Sequence, residues 1–456
     1  MPSTALDSDI FRDIFTTAEM RKIFSDETRT GYYLEIEAAL ARVQGRMGII
    51  PQEAATEIIT KCTIDNIDFA QLKTQTERIG YPILGVVHQI VATVPNNLGE
   101  WCHWGATTQD ITDTATIMQV RAALELVDAE IGKISAALAN LSRRYRDAPM
   151  AGRSNLQHAV PITFGFKTAS LLAALQRHRQ RLSELRPRVL VGEFAGAAGT
   201  LASLGADGLK VQAALMEELK LGEPEIAWHT IRDRIAEVGC FLGLLTGTLG
   251  KIALDVKLMM QTEVAEVHEP FHAGRGSSST MPHKRNPISC LYIHATAALV
   301  RQNAGSLMEA AVADHERSTG PWEIEWIALP EIFLLSTGAL AQTRMLLEGL
   351  EVDEKRMRAN LGLTSGLIVS EAVMMALGPR LGRQKAHDLV SEICREVVAT
   401  GTPLVDLLST NFEIVRHLNR ADLEKLCDPG NYLGLAGEMV DRVLARETAS
   451  IPQPRA

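Results

Sequence analysis

Six cysteines stand in 456 residues, and no two of them have CxxC spacing. Cys62, Cys102, Cys240, Cys290, Cys394 and Cys427 are scattered, and a chain of this length needs no disulfide staple, so they read as free thiols of a reducing compartment. The N-terminus, MPSTALDSDIF, lacks the basic region and the apolar core of a secretory signal. No apolar run reads as long enough to span a bilayer. A cytoplasmic protein with no membrane partner is therefore expected. Positive charge is also short: 46 Lys and Arg face 55 Asp and Glu, for a formal net charge of −9. With no basic face, nucleic acid and anionic lipid are excluded as partners, and any anionic ligand must be met by positive charge gathered locally. Sheet patterning is missing too, since short β-branched runs such as Val189-Leu190-Val191 are too few. GxxxxGK[ST] and GxSxG are both absent, which removes the P-loop and the nucleophile elbow.

The chain is instead rich in helical periodicity. Ile111, Ala115, Met118, Ala122 and Leu126 lie on one face of a segment running from 111 to about 146, roughly 50 Å at 1.5 Å per residue. Similar segments cover 163–188, 230–267, 287–313 and 322–348. Their apolar residues span wide arcs, with Gly243, Gly247 and Gly250 allowing close approach. Helices apolar over most of their circumference must be buried all round, so the bundle is expected to pack against copies of itself. Shorter helices precede residue 110. Others follow residue 352, broken at Gly378-Pro379, Gly401-Thr402-Pro403 and Asp428-Pro429-Gly430. The reading is all-α, with an N-terminal helical region at 1–110, a bundle of five long helices at 111–351 and a small helical region at 352–456.

Three polar stretches interrupt the helices. AGRGSSSTMPHKRNP, at 273–287, is too polar and glycine-rich for a core element. Serine hydroxyls and backbone N–H groups can crowd one point there, and Lys284 with Asn286 can grip a carboxylate. WCHWGATTQDITDT, at 101–114, sets His103, Thr107 and Thr108 beside two tryptophans; Thr108 or Asp110 can start the next helix. GRSNLQHAVP, at 152–161, reads as a polar interruption. Residues 268–272, HEPFH, fit HExxH, but Pro270 stands inside a motif that needs a continuous helix, so no zinc site is expected. DHERSTGPWEIEW, at 314–326, clusters charge beside two tryptophans, with Arg317 and Glu325 available to a site elsewhere.

SSTMPHKRNP at 278–287, HWGATTQDITDTA at 103–115 and GRSNLQHAVPIT at 152–163 together resemble the fumarase/aspartase superfamily, in this order and over nearly the whole chain. LQHAVP, WHTIRDR (228–234), QTEVAEVHEP (261–270) and HERSTGPWEIEW (315–326) make it most similar to the adenylosuccinate lyase and 3-carboxy-cis,cis-muconate cycloisomerase branch, and to the cycloisomerase within it. Trp326 stands where adenylosuccinate lyases generally carry a phosphate-binding arginine. Lyases of the family usually read R-T-H-x-Q where this chain has Arg153-Ser154-Asn155-Leu156-Gln157, and an asparagine cannot be a general acid at neutral pH.

The resemblance implies a cofactor-independent enzyme, homotetrameric, with each site shared between subunits. Ser278 is then the base that takes the proton beside a carboxylate of a small anionic di- or tricarboxylate, giving an aci-carboxylate. The Gly276–Thr280 backbone would hold the serine oxyanion. Lys284 and Asn286 would hold the carboxylate whose charge grows, with Ser279 and Met281 beside them. Thr107, Thr108, Asn155 and Gln157 would bind the rest of the substrate, and Arg153 and His103 would add charge and orientation. An epimerase or a C–N lyase of an aminodicarboxylate stays open beside the cycloisomerase, as does a catalytically silent helical oligomer of the kind this superfamily also supplies.

Overall fold

The computed structural model describes residues 3–271, 275–278 and 280–449. The five expected long helices are present as Thr108–Arg144, Phe164–Val189, Asp233–Met259, Ile288–Glu309 and Pro321–Glu348. Shorter helices flank them, among them Asp26–Arg46, which Ser25 caps by accepting the N–H of Thr28. By contacts the chain divides into two units. One comprises Met1–Ile131, His178–Gly250 and Tyr292–Gln342; the other comprises Gly132–Arg177, Lys251–Leu291 and Thr343–Ala456. All five chain cuts fall inside the long helices.

In the first unit, small residues set the spacing of two helices. A side chain at Gly243 or Gly250 would stand 3.5 Å from Ala304 or Ala297 on the facing helix. Arg232 is fully buried and charged there. Burial works against its charge, but Asp113 and Glu325 outweigh that, and its pKa is raised. Its Nη1 donates to Asp113 Oδ2 at 2.7 Å and its Nε to Glu325 Oε1 at 2.9 Å. The Trp322 indole N–H adds a bond to Asp113 Oδ1 at 3.0 Å. Arg232 thereby joins three segments far apart in sequence. Glu325 is thus taken up inside its own unit rather than left for a site elsewhere.

Two sequence expectations change. Helices Asp233–Met259 and Pro321–Glu348 are long and apolar enough to cross a membrane by length and composition, although no such run was expected. More than half of each most apolar window, 56% and 61%, is buried within the chain, which is the pattern of core helices. The second correction concerns the stretch at 152–161. It lies in an antiparallel hairpin, Pro149–Ser154 paired with Gln157–Thr163. Asn155 (φ 50°) and Leu156 (φ 65°) both adopt the left-handed conformation that a two-residue hairpin turn needs, which asparagine tolerates well. Val267–His268 and Glu351–Val352 form a second, minimal pair. The fold remains overwhelmingly helical.

Arg232→Met leaves two buried carboxylates without their cation. Loss of one partner of such a group costs about 3–5 kcal/mol. Urea unfolding should register a destabilisation of that size, and a loss below about 1 kcal/mol would contradict the role given to this network.

Candidate functional site

The first polar segment leads into the Thr108–Arg144 helix and is fixed by Asp110, whose side chain is fully buried. Asp110 Oδ2 accepts the N–H of Thr107 at 2.9 Å and of Gly196 at 3.0 Å. Its Oδ1 accepts from Ala195 N at 2.9 Å and from His229 Nε2 at 2.8 Å. Four donors on one anion hold the 105–108 turn and the 192–197 loop in one place. The Arg317 guanidinium locks the same junction, donating to Gln109 Oε1 and to the carbonyls of Gly196 and Ala197. Arg317, like Glu325, serves its own unit. Among the described residues, the hydroxyls of Thr107 and Thr108 are half-buried and have no hydrogen-bond partner.

His103 adopts φ 60° and sets its Nδ1 2.6 Å from Oε1 of Glu37, a carboxylate that is 1% exposed. Burial pushes the imidazolium down, but the Glu37 charge and hydrogen bond more than offset this, so His103 titrates above its ordinary value. With Nδ1 turned to Glu37, Nε2 is the nitrogen left for other partners.

In the second unit the hairpin carries Arg153, Asn155 and Gln157. Ser154 through Gln157 are all exposed, so the turn projects. Arg153 makes a bidentate pair with Glu266, Nη2 to Oε1 at 2.7 Å and Nη1 to Oε2 at 2.8 Å. Glu266 is fully buried and takes a further bond from the Asn360 amide at 2.8 Å. The charge of Arg153 is therefore matched within the unit, and what it sets is the position of the hairpin. Among the described residues, the side-chain amides of Asn155 and Gln157 have no hydrogen-bond partner.

Residues 275–278 and 280–287 close on one another. Ser277 bridges to Arg285, and both the backbone N–H and the side-chain amide of Asn286 donate to Gly276 O at 3.0 Å. Gly276 has φ 67°, and a Cβ there would stand 2.7 Å from Asn286 O, so no other residue fits. Within this turn Ser278 Oγ accepts the N–H of Met281 at 3.0 Å and of Thr280 at 3.3 Å. Lys284 is exposed and has no ion-pair partner among the described residues. Met281 is exposed beside it. Ser279 and His272 lie outside the described residues. Glu269 accepts the N–H groups of Ser289 (3.1 Å) and Cys290 (2.8 Å), anchoring the helix that follows the loop. His268 sits in a strand rather than a helix.

The predicted residues thus fall in three clusters. His103, Thr107 and Thr108 belong to the first unit; Arg153, Asn155 and Gln157, and Ser278 through Asn286, belong to the second. Sequence reasoning missed the carboxylates behind them: Glu37, Asp110 as an anchor, Glu266 and Glu269. A glutamate in a helical or loop pattern gives no local sign of a partner a hundred residues away.

Comparison with known proteins finds relatives over nearly the whole chain. A family model described as "Lyase" matches residues 14–301, and one described as "Adenylosuccinate lyase C-terminus" matches 366–443. The chain is 56% identical to trans-aconitate decarboxylase 1 of Mycosarcoma maydis, covering 99% of this chain and 91% of that protein. It is 46% identical to the 3-carboxy-cis,cis-muconate cycloisomerase of Pseudomonas aeruginosa, covering 97% of each. Among solved structures, the 3-carboxy-cis,cis-muconate lactonizing enzyme of Pseudomonas putida superposes with a TM-score of 0.91 at 41% identity, covering 97% of this chain and 99% of that one. With its helical core, its three polar segments and these relatives taken together, the chain belongs to the fumarase/aspartase superfamily of lyases and isomerases, in the cycloisomerase branch.

Proposed function

We propose that the enzyme acts on a small unsaturated tricarboxylate through a carbanion beside a carboxylate, with Ser278 exchanging the proton at that carbon. The observation that carries this reading is the pair of backbone N–H groups converging on Ser278 Oγ. A serine hydroxyl is a poor base in water, and donors of this kind are what its oxyanion requires. Lys284 carries unpaired charge for the aci-carboxylate. Asn286 joins it once its amide leaves Gly276, and the unpartnered Thr107, Thr108, Asn155 and Gln157 groups bind the remaining carboxylates. His103, backed by Glu37, adds a cation. Ser279 and Met281 line the substrate, and no cofactor takes part.

Asn155 narrows the reaction. Eliminating an amine needs an acid for the leaving group, and an amide supplies none. Epimerisation avoids that need, and so do two reactions of an unsaturated tricarboxylate. In cycloisomerisation a substrate carboxylate adds to the double bond, the electron pair moves to the carbon beside a second carboxylate, and Ser278 protonates it. In decarboxylation CO2 leaves an allylic carbon, the double bond shifts, and the pair reaches the same kind of carbon to be protonated by Ser278. Cycloisomerisation is the first reading, and the 56% identity to a trans-aconitate decarboxylase favours decarboxylation as the second. The substrates in the two relatives' names are both unsaturated tricarboxylates.

Three polar segments on two units, half-buried at 105–108 and exposed at 154–157 and 280–285, support a site built from several copies, in a homotetramer. The exposed Leu244, Leu299, Met308 and Ile327 on long helices support self-association. Regions 1–110, 111–351 and 352–456 are proposed as the domains of each subunit, in the cytoplasm.

A panel of 3-carboxy-cis,cis-muconate and trans-aconitate, read by lactone formation and by CO2 release, tests the assignment; no turnover of either overturns it. Ser278→Ala should lower kcat by about 10²–10⁴-fold with an unchanged helical spectrum, and near-wild-type turnover would contradict the proton-transfer role. In Glu37→Gln the carboxylate no longer offsets burial, so His103 should titrate below about 6.5 instead of above it, as read from its NMR ring shifts. An unmoved titration would remove Glu37 as the cause.

A further inference from the structure

Asp110 does not stand alone beneath the threonine turn. Glu193, 1% exposed, and His229, 3% exposed, face it in a buried cluster. Oδ1 of Asp110 is 2.8 Å from His229 Nε2, and Oε1 of Glu193 is 3.8 Å from the same nitrogen. Glu193 Oε2 accepts the N–H of Trp228 at 2.6 Å, while Oε1 is buried with no hydrogen-bond partner. The backbone of Glu193 is tied to the same helix, its carbonyl and N–H both bonded to the Thr114 hydroxyl.

The charges around Glu193 are countable. Asp110 and Asp113 face it from the Thr108–Arg144 helix, and His229 and Arg232 from the 228–232 segment. Arg232 is already held by Asp113 and Glu325, and Arg317 by carbonyls and Gln109. Asp110 has four N–H donors to offset its burial. Glu193 has one donor and a bare oxygen, which is an unfavourable setting for a second negative charge.

We infer that Glu193 is a positioning residue for the Thr107–Thr108 turn: as a neutral acid it leaves His229 and the loop N–H groups to Asp110, and its ionisation would compete for His229 and loosen that turn. Burial, with the neighbouring aspartates, pushes the Glu193 carboxyl up to about 8 despite the Trp228 N–H, in keeping with a neutral side chain near pH 7. The inference rests on the reading that Thr107 and Thr108 bind substrate.

The sign follows directly. Below its pKa Glu193 is neutral and the turn is held; above it the new anion repels Asp110. Wild-type kcat/KM should therefore fall about tenfold per pH unit on the alkaline side, chiefly through KM, since the turn binds rather than reacts. Glu193→Gln keeps the shape without a titrating proton, and its alkaline limb should move up by at least about one pH unit. A limb unchanged from wild type overturns the inference. Infrared difference spectra of the wild-type protein between about pH 7 and pH 9 give a second readout independent of the variant's folding. One buried protonated-carboxyl band should be lost across that interval, and the absence of any such band overturns the inference as well. The same band should titrate in Ser278→Ala, so failure of the proposed chemistry and failure of the Glu193 assignment are told apart.

Discussion

The arrangement depends on buried carboxylates that collect N–H donors. An ionised carboxylate removed from water is costly unless its lone pairs are met. Asp110 meets that demand with three backbone N–H groups and an imidazole. Glu266 meets it with a bidentate guanidinium and an amide. Glu269 meets it with two N–H groups at the start of the Ile288–Glu309 helix, where the helix dipole also favours negative charge. Each anion sits behind one polar segment and dictates where its backbone runs.

This divides the labour between fixed backing and free tips. Among the described residues of these segments, the Thr107 and Thr108 hydroxyls, the amides of Asn155 and Gln157 and the Lys284 ammonium have no partner. Those are the donors an anionic substrate requires, and they project from backbone that cannot easily shift. Preorganised donors aimed at developing charge supply much of an enzyme's rate enhancement. Ser278 fits the same scheme on a smaller scale, since its turn supplies N–H groups to its own oxygen. Arg153, by contrast, has its charge matched by Glu266, so its contribution is to the hairpin's placement.

Much of this was legible in the sequence. The long helices follow from apolar residues at three- and four-residue spacing, and their observed ends lie within a few residues of the expected ones except near Val267, where the Asp233–Met259 helix stops early. The three polar segments stood out by composition, and Gly276 by the backbone freedom that its tight loop needs. The hairpin was hidden because its turn is Asn-Leu rather than Asn-Gly, and Gly152 and Pro161 argue against strands. The anchoring carboxylates were hidden for a different reason. Glu37 lies 66 residues from His103, Glu266 lies 113 from Arg153, and Ala195 lies 85 from Asp110. No local pattern records pairings of that range.

The central claim is that rigidly backed segments from different copies complete one proton-transfer site. Mixing two inactive variants, Ser278→Ala on the loop and Gln157→Ala on the hairpin, and letting their subunits exchange tests it directly. If loop and hairpin come from different copies, some mixed assemblies contain intact sites, and about a quarter of wild-type activity should return at equal proportions. Confirmed subunit exchange with no recovered activity would contradict the account.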